Sequence, residues 1–372
     1  MTAIWARELS ILLAERKLVA FVLLFAASAY ALLIGNLYRG HVVEHIPVAV
    51  CDLDGSAESR SLLREMQTIH TYDVALATDD LAAAEAMLAR REAAAILVVP
   101  EGFSKDLSAR RPVQIPFITD GSNSLVQSYT LGPIQEIVGT LSAMQAAQTA
   151  AADGMPELPP APVSVSFRIP ENPTGSYAFF YLYGVMLTAA QLGVMLNTAL
   201  SVWSDVRCGY FLGKDNVKKL LAKELFYGAF SVLSALIGLF WLVWLLDLPF
   251  KGSLWDFLPL YAAYAFAAMN LAALLALYFR TEIALVQCLV FYALPAFLLS
   301  GYIWPEHGML PAWRVLSATF PLHYLLDNFR GIALSGADIT GMIPDIFALL
   351  AIGSGLFAVN AHFLGNAARC HQ

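Results

Sequence analysis

The chain has 372 residues, 58% of them hydrophobic and 14% charged, against roughly 25% charged in ordinary soluble domains. That composition excludes a soluble globular protein and points to a membrane one; the net charge of −7 is unevenly spread, so its placement says more than its sum. Cys51, Cys208, Cys288 and Cys370 show no CxxC spacing, which excludes a zinc ribbon or a disulfide framework.

The amino end, MTAIWARELSILLAERK (residues 1–17), sets Ile4, Trp5, Leu9, Leu12 and Leu13 against Arg7, Glu8, Glu15 and Arg16. This is the pattern of an amphipathic helix lying on the inner membrane surface. Leu18 to Leu37 follows as an apolar run long enough to cross the hydrocarbon core, which takes about 20 residues of helix because lipid offers the backbone no hydrogen-bond partners. No A-x-A site ends it, so it reads as a retained span. HVVEH, His41 to His45, fits the H-x-x-E-H zinc pattern, but it runs at once into a Pro-containing strand where helical spacing fails, and no metal is expected there.

Residues 38–176 have soluble composition and an alternating pattern. Strands are expected at Ile46 to Asp54, Tyr72 to Ala77, Ala93 to Pro100 and Pro112 to Asp120, with helices at Ser56 to Ile69 and at Asp79 to Glu92, the latter capped by an Asp. This βαβα order predicts a small α/β domain with a mainly parallel sheet. A long Ala-rich helix from Leu125 to Ala152, bent at Pro133, a Pro-rich linker over 154–162 and an edge strand from Val163 to Ile169 complete it. VAVCDLDGS, Val48 to Ser56, resembles the nucleophile motif of haloacid-dehalogenase phosphatases, with Asp52 attacking and Asp54 as acid. That chemistry needs Mg²⁺ and a balancing Lys, for which Asp79, Asp80 and Lys105 can be nominated. The domain is too short for that fold, and the plainer reading is preferred: Asp54 and Gly55 turn the chain and Ser56 caps the next helix.

Five further apolar segments cover about Tyr177 to Leu200, Leu225 to Leu246, Phe257 to Phe279, Ile283 to Gly301 and Ile343 to Leu364. Arg7, Arg16 and Lys17 precede the first span, and Arg207, Lys214, Lys218, Lys219 and Lys223 lie between the second and third. Basic short loops stay inside, so both termini are expected in the cytoplasm and residues 38–176 outside. Ionisable residues within the spans are few, which argues against an ion-coupled carrier. No Gly-x-x-x-x-Gly-Lys-Ser/Thr occurs, so the chain cannot hydrolyse ATP by a P-loop.

Between the last two spans, Gly301, Pro305, Pro311 and Pro321 interrupt helical hydrogen bonding. Lipid tolerates such breaks only where protein or water supplies partners, so the interruption implies a cavity or a packed interface. Asp327 and Arg330, three apart, can pair across a helical turn as a gate or as a simple clamp.

In this order the parts resemble the permease subunit of type-2 ABC transporters, in the subgroup with a large external domain after the first span. VAVCDLDGSAESRSLL and AAAILVVPEGFSKDL are similar to pieces of that domain, ENPTGSYAFFYLYG to the approach to span two, and SGYIWPEHGMLPAW with FPLHYLLDNFRGIAL to the segment between spans five and six. The resemblance covers nearly the whole chain. It implies an α-helical polytopic membrane protein of six transmembrane helices, with an α/β extracytoplasmic domain inserted between helices 1 and 2 and a re-entrant outer segment over 302–335, in the bacterial inner membrane. It further implies a second permease subunit, identical or related, and separate ABC ATPase subunits that bind the ATP and Mg, this chain having no cofactor and no catalytic residue of its own.

The ATPase docks, on this resemblance, against the inner loop 203–224, where Asp205, Arg207, Lys214, Lys218 and Lys219 are the candidate coupling residues. Relatives commonly carry Arg-Glu-x-Gly-Thr-x-Glu there, whereas this chain has Asp205, Arg207 and Gly209 without the Thr and the second Glu. The implied activity is export of an amphipathic or hydrophobic compound, with membrane lipid and a periplasmic adaptor as further partners and no nucleic acid. Two alternatives stay open: a membrane-tethered phosphatase using Asp52 and Asp54, and a receptor or scaffold whose external domain binds a ligand.

Overall fold

In the computed structural model the chain divides into two compact units, residues 1–39 with 170–372, and residues 40–169. The structure describes every residue except 38–44, 69, 91, 110, 112, 120–129, 141, 144–176, 213–214, 305 and 371–372. His41 to Glu44 of HVVEH, the linker 154–162 and the strand expected at Val163 to Ile169 therefore lie outside the described residues. Among those described, no cluster of metal-ligand side chains occurs.

The smaller unit follows the alternating pattern closely. Its elements are β1 (Ile46–Asp52), α3 (Ala57–Thr68), β2 (Tyr72–Thr78), α4 (Leu81–Ala89), β3 (Ala95–Val99), α5 (Phe103–Ser108) and β4 (Phe117–Thr119), then a helix α6 over residues 130–140; α1 and α2 belong to the other unit. The sheet order is β2-β1-β3-β4, with β1 parallel to β2 and β3, and β4 antiparallel to β3. Because side chains alternate along a strand, Val48 and Val50 face Leu62, Met66, Phe103 and Ile137, while Ala49 and Cys51 face Ala84 with α4 on the opposite side. Helices thus cover both faces, the arrangement that a parallel sheet requires. Asp80 caps α4 as expected, accepting the Ala82 N–H at 2.9 Å.

The larger unit contains α1 (Thr2–Ala14), α2 (Lys17–Leu37), α7 (Tyr177–Arg207), α8 (Asn216–Leu245), α9 (Leu254–Tyr278), α10 (Glu282–Leu298), α11 (Pro311–Ser317), α12 (Pro321–Arg330) and α13 (Ile343–Cys370). Five helices among the described residues are long and apolar enough to cross a membrane: α2, α7, α8, α9 and the stretch 339–365 that holds most of α13. The apolar α10 is shorter, at 17 residues. The central helix is α7, packed on α2, α8, α9 and α10, while α9 packs on α13. Gly193 permits a close approach of α7 to α2, since a Cβ there would stand 3.0 Å from the Val22 carbonyl; small residues let spans meet backbone to backbone.

Two boundaries move from where hydropathy puts them. Helix α7 continues past Leu200 to Arg207, and α8 starts at Asn216, nine residues before Leu225. Most of the expected 203–224 loop is therefore helix, leaving a turn and the short 3₁₀ element Tyr210–Leu212. The added turns, NVKKLLAKE, are made of good helix formers with Leu220 and Ala222 turned inward, so propensity and burial extend a helix that a hydropathy window cuts short.

Candidate functional site: an ionic cluster beneath the amino-terminal helix

The expectation for α1 is a polar face in water. The helix forms, yet Glu8 and Leu12 are buried while Trp5, Leu9 and Leu13 are exposed. Glu8 points instead at Lys223 of α8, whose Nζ lies 2.6 Å from Glu8 Oε1 and 2.7 Å from Asp205 Oδ2 at the end of α7. Exposure is 1% for Glu8, 0% for Lys223 and 2% for Asp205, so these are charges taken fully out of solvent.

Such burial is tolerable only when every lone pair and proton is matched. Here nearly all are. Arg7 grips Asp205 with two nitrogens, at 2.6 and 2.9 Å, and reaches Glu8 Oε1 at 2.9 Å. Glu8 Oε2 accepts from Ser201 Oγ and from the Tyr227 hydroxyl, both at 2.8 Å. Two cations and two carboxylates make the group neutral. Asp205 holds the Arg7 guanidinium above its ordinary proton affinity, against burial, which pulls the other way. Around the rim, Arg7 stacks on the Tyr210 ring at 4.1 Å, Lys219 Nζ donates to the Tyr210 carbonyl at 2.7 Å, and Trp5 Nε1 donates to the Ala222 carbonyl at 2.8 Å. One helix, two span ends and the turn between them are thereby locked into a single block.

The predicted coupling residues divide accordingly. Asp205 is the centre of the block, Arg207 is exposed and donates to the Phe279 carbonyl, Lys218 is exposed on the first turn of α8, and Lys219 belongs to the rim. Lys214 lies outside the described residues. Glu8, Lys223, Ser201 and Tyr227 are the residues that sequence reasoning misses. The available signal is Lys223 itself, which with Glu224 interrupts the apolar run LLAKELFYGAF, where an ionisable side chain requires a partner.

The broken segment is packed on protein. Gly301 takes φ +81°, and Pro311 and Pro321 each begin a short helix, where a missing N–H leaves nothing unsatisfied. The freed backbone groups find side chains: Ser317 Oγ donates to the Leu299 carbonyl at 2.5 Å, and His323 Nδ1 lies 3.2 Å from the Ser300 carbonyl and 3.1 Å from Ser317 Oγ. Arg330 hydrogen-bonds the Tyr302 carbonyl and stands 4.3 Å above the Tyr302 ring, while Asp327 is exposed on α12. Pro305 lies outside the described residues. Facing α10 across α2 and α7 is an apolar cavity of about 520 Å³, with Phe21, Phe25, Tyr181, Thr188, Ala293 and Phe297 in its wall. Its threonine donates back to its own helix, to the Gly184 carbonyl at 2.8 Å, so the lining offers shape and apolar contact and little hydrogen bonding.

In the smaller unit, the Asp pair is occupied in holding the backbone. Asp52 Oδ1 accepts from the N–H groups of Asp54 and Gly55 at 3.1 and 2.9 Å, its Oδ2 accepts from Ser59 Oγ at 2.7 Å, and Asp54 Oδ2 accepts from the Ser104 N–H at 3.1 Å. Ser56 Oγ caps α3 by accepting the Ser59 N–H at 3.0 Å. These bonds describe a turn and a cap.

A family model described as ABC-2 family transporter protein matches residues 16–362. The chain is 24% identical over 328 residues to the probable multidrug ABC transporter permease YbhR of Escherichia coli strain K12, covering 85% of this chain and 86% of that one. It is 22% identical over 265 residues to the probable multidrug ABC transporter permease YbhS of the same organism, covering 69% and 68%. No solved structure matches. The matched region holds Asp205, Lys223, the cavity and the whole broken segment, and with a family match of that extent the chain belongs to the ABC-2 family of transporter proteins, as a multi-pass membrane transport subunit and not an enzyme.

Proposed function

We propose that this chain is the permease of an ATP-driven exporter of the bacterial inner membrane, moving an amphipathic or hydrophobic compound outward. Two permeases, identical or related, form the path, and two separate ATPase chains supply the energy. Both termini face the cytosol, α10 serves as the sixth membrane crossing, residues 38–176 stand outside, and residues 302–335 close the outer end of the path with Asp327 and Arg330 at its edge. The names of the relatives, multidrug permeases, support the substrate class. So does a cavity walled by aromatic and aliphatic side chains, the kind of site that takes apolar ligands of varied shape.

The observation that carries this reading is the ionic block. It ties α1 rigidly to the ends of α7 and α8, so force applied at the exposed turn bearing Lys218 reaches α2, α7 and α8 together. The second permease packs, on this reading, against the face formed by α2 and α10; the exposure of Phe21, Phe25, Phe291 and Leu294 beside the cavity supports it. Purification from its native host in mild detergent, followed by identification of the accompanying chains, tests the proposal. A P-loop ATPase is the expected companion; a histidine kinase in its place would assign the chain to signalling.

A further inference from the structure

Glu224 follows Lys223 on α8 but points about 100° around the helix, away from the ionic block. Its side chain is 2% exposed, and neither carboxyl oxygen has a hydrogen-bond partner. The polar group beside it is Asn270 of α9. Asn270 donates its amide to the Phe266 carbonyl at 3.0 Å and receives the amide of Asn360, on α13, at its backbone and side-chain oxygens, 2.9 and 3.3 Å away. Asn360 is fully buried and its Oδ1 has no partner either. Three helices therefore bring polar atoms to one dry place, and the balance is lopsided. Asn360 spends its amide on Asn270, and Asn270 spends one of its two N–H groups on Phe266, which leaves at most the second Asn270 N–H, beside Glu224, for three acceptors, Glu224 Oε1, Glu224 Oε2 and Asn360 Oδ1, among the described residues.

Charged neighbours do not correct the imbalance. On the α1 and α7 side, Arg7, Glu8 and Asp205 engage Lys223 and one another. Helix α9 carries one charged residue, Asp256 in its first turn, and the only acid on α13 is Asp345, again in the first turn, where it accepts from Asn328; His362 of α13 is exposed. A carboxylate at Glu224 would be an uncompensated buried charge, which a low-dielectric surrounding penalises heavily. One proton removes the charge and also supplies the missing donor.

We infer that Glu224, Asn270 and Asn360 form a proton-binding site inside the helix bundle, in which the Glu224 carboxyl holds the proton and its O–H donates to an amide oxygen of the asparagine pair. Any step that parts α8 from α9 and α13 admits water and lets the proton leave, so the packing of these helices depends on pH. This inference goes beyond the transport reading and stands without it.

The test is infrared spectroscopy of the purified full-length protein at neutral pH. The wild-type minus Glu224→Gln difference spectrum is expected to show the carbonyl stretch of a neutral carboxylic acid, and Asn360→Ala to shift it through loss of a hydrogen-bond acceptor. A spectrum with only carboxylate bands would overturn the proposal. Glutamine imitates the neutral acid, so Glu224→Gln is expected to fold and to melt within a few degrees of wild type; a variant that fails to fold would show that an ion is needed there and would also overturn it. A sodium-dependent rise in melting temperature that Glu224→Gln abolishes, with no acid band, would assign a metal cation instead and count against the proton.

Discussion

Lys223 Nζ and Glu8 Oε1 lie 2.6 Å apart, joining residues 215 positions distant in the chain. The bond contributes little net stability, because desolvating two ions offsets most of their attraction, but removing one partner strands the other. Lys223→Ala leaves two buried carboxylates, Glu8 and Asp205, sharing the single cation Arg7, one negative charge in excess. It is expected to cost about 3–5 kcal/mol, seen as a large fall in melting temperature in detergent, whereas Glu8→Gln combined with Lys223→Met recovers much of the loss. Equal melting of Lys223→Ala and wild type would show that the block is not a single unit.

Lys218 is the exposed basic residue on the first turn of α8, in contrast to Lys219, which is held by Tyr210. Reversing it by Lys218→Glu should leave the fold unchanged. If this turn meets the ATPase, a rim charge is worth about 1 kcal/mol, so binding of the ATPase chain, measured by pull-down titration, should weaken about fivefold. Undiminished binding would move the contact elsewhere.

What was legible in the sequence, and what was not, divides by distance along the chain. The strand β1, the capped helix α4 and the buried β3 follow from local alternation and from Asp80, and the broken segment follows from Gly301, Pro311 and Pro321, whose backbone chemistry acts where they stand. The partnership of Glu8 with Lys223 depends on the folded approach of α1 to α8, which no local pattern encodes. Hydropathy also hides it: counted as polar, Lys219, Lys223 and Glu224 push the expected start of the span to Leu225 and leave a buried ion and a buried acid looking like loop residues. The short helix α5 is missed for a simpler reason, six residues being too few to show a period.

Gly184 on α7 faces the Tyr302 ring, and a Cβ there would stand 2.5 Å from it. Gly184→Ala therefore overpacks the seat of the broken segment, at about 1–3 kcal/mol, with the outer segment displaced from α7. Tyr302→Leu, which removes the obstructing ring, should partly restore the melting temperature of Gly184→Ala. If the two changes simply add, the ring is not the obstacle.

Asp54 titrates below the ordinary aspartate value of 3.8 because Ser56 and the Ser104 N–H hydrogen-bond its charged form. A lowered value in the folded state means that its contribution to stability is complete above about pH 4 and is lost as pH falls through the folded value. Acid unfolding of the full chain, followed by the signal of the sheet-bearing unit, should begin at higher pH in Ser56→Ala than in wild type. Coincident acid transitions would remove Ser56 as the cause.

The apolar cavity gives the substrate path its most direct test. Ala29 of α2 lies in its wall on the exposed side, so a larger side chain can enter the space without displacing the core. Ala29→Trp should occupy part of the roughly 520 Å³ and obstruct it, and leave the stability within about 0.5 kcal/mol of wild type, as surface substitutions do. In vesicles containing the permease and its ATPase, export of large amphipathic dyes should fall about tenfold while ATP hydrolysis continues, because the ionic block, to which the proposal gives the mechanical coupling, is untouched. Dye export that persists with Trp in the cavity would place the path away from α2, α7 and α10, and would turn attention from the shape of this space to the lipid-facing surfaces around it.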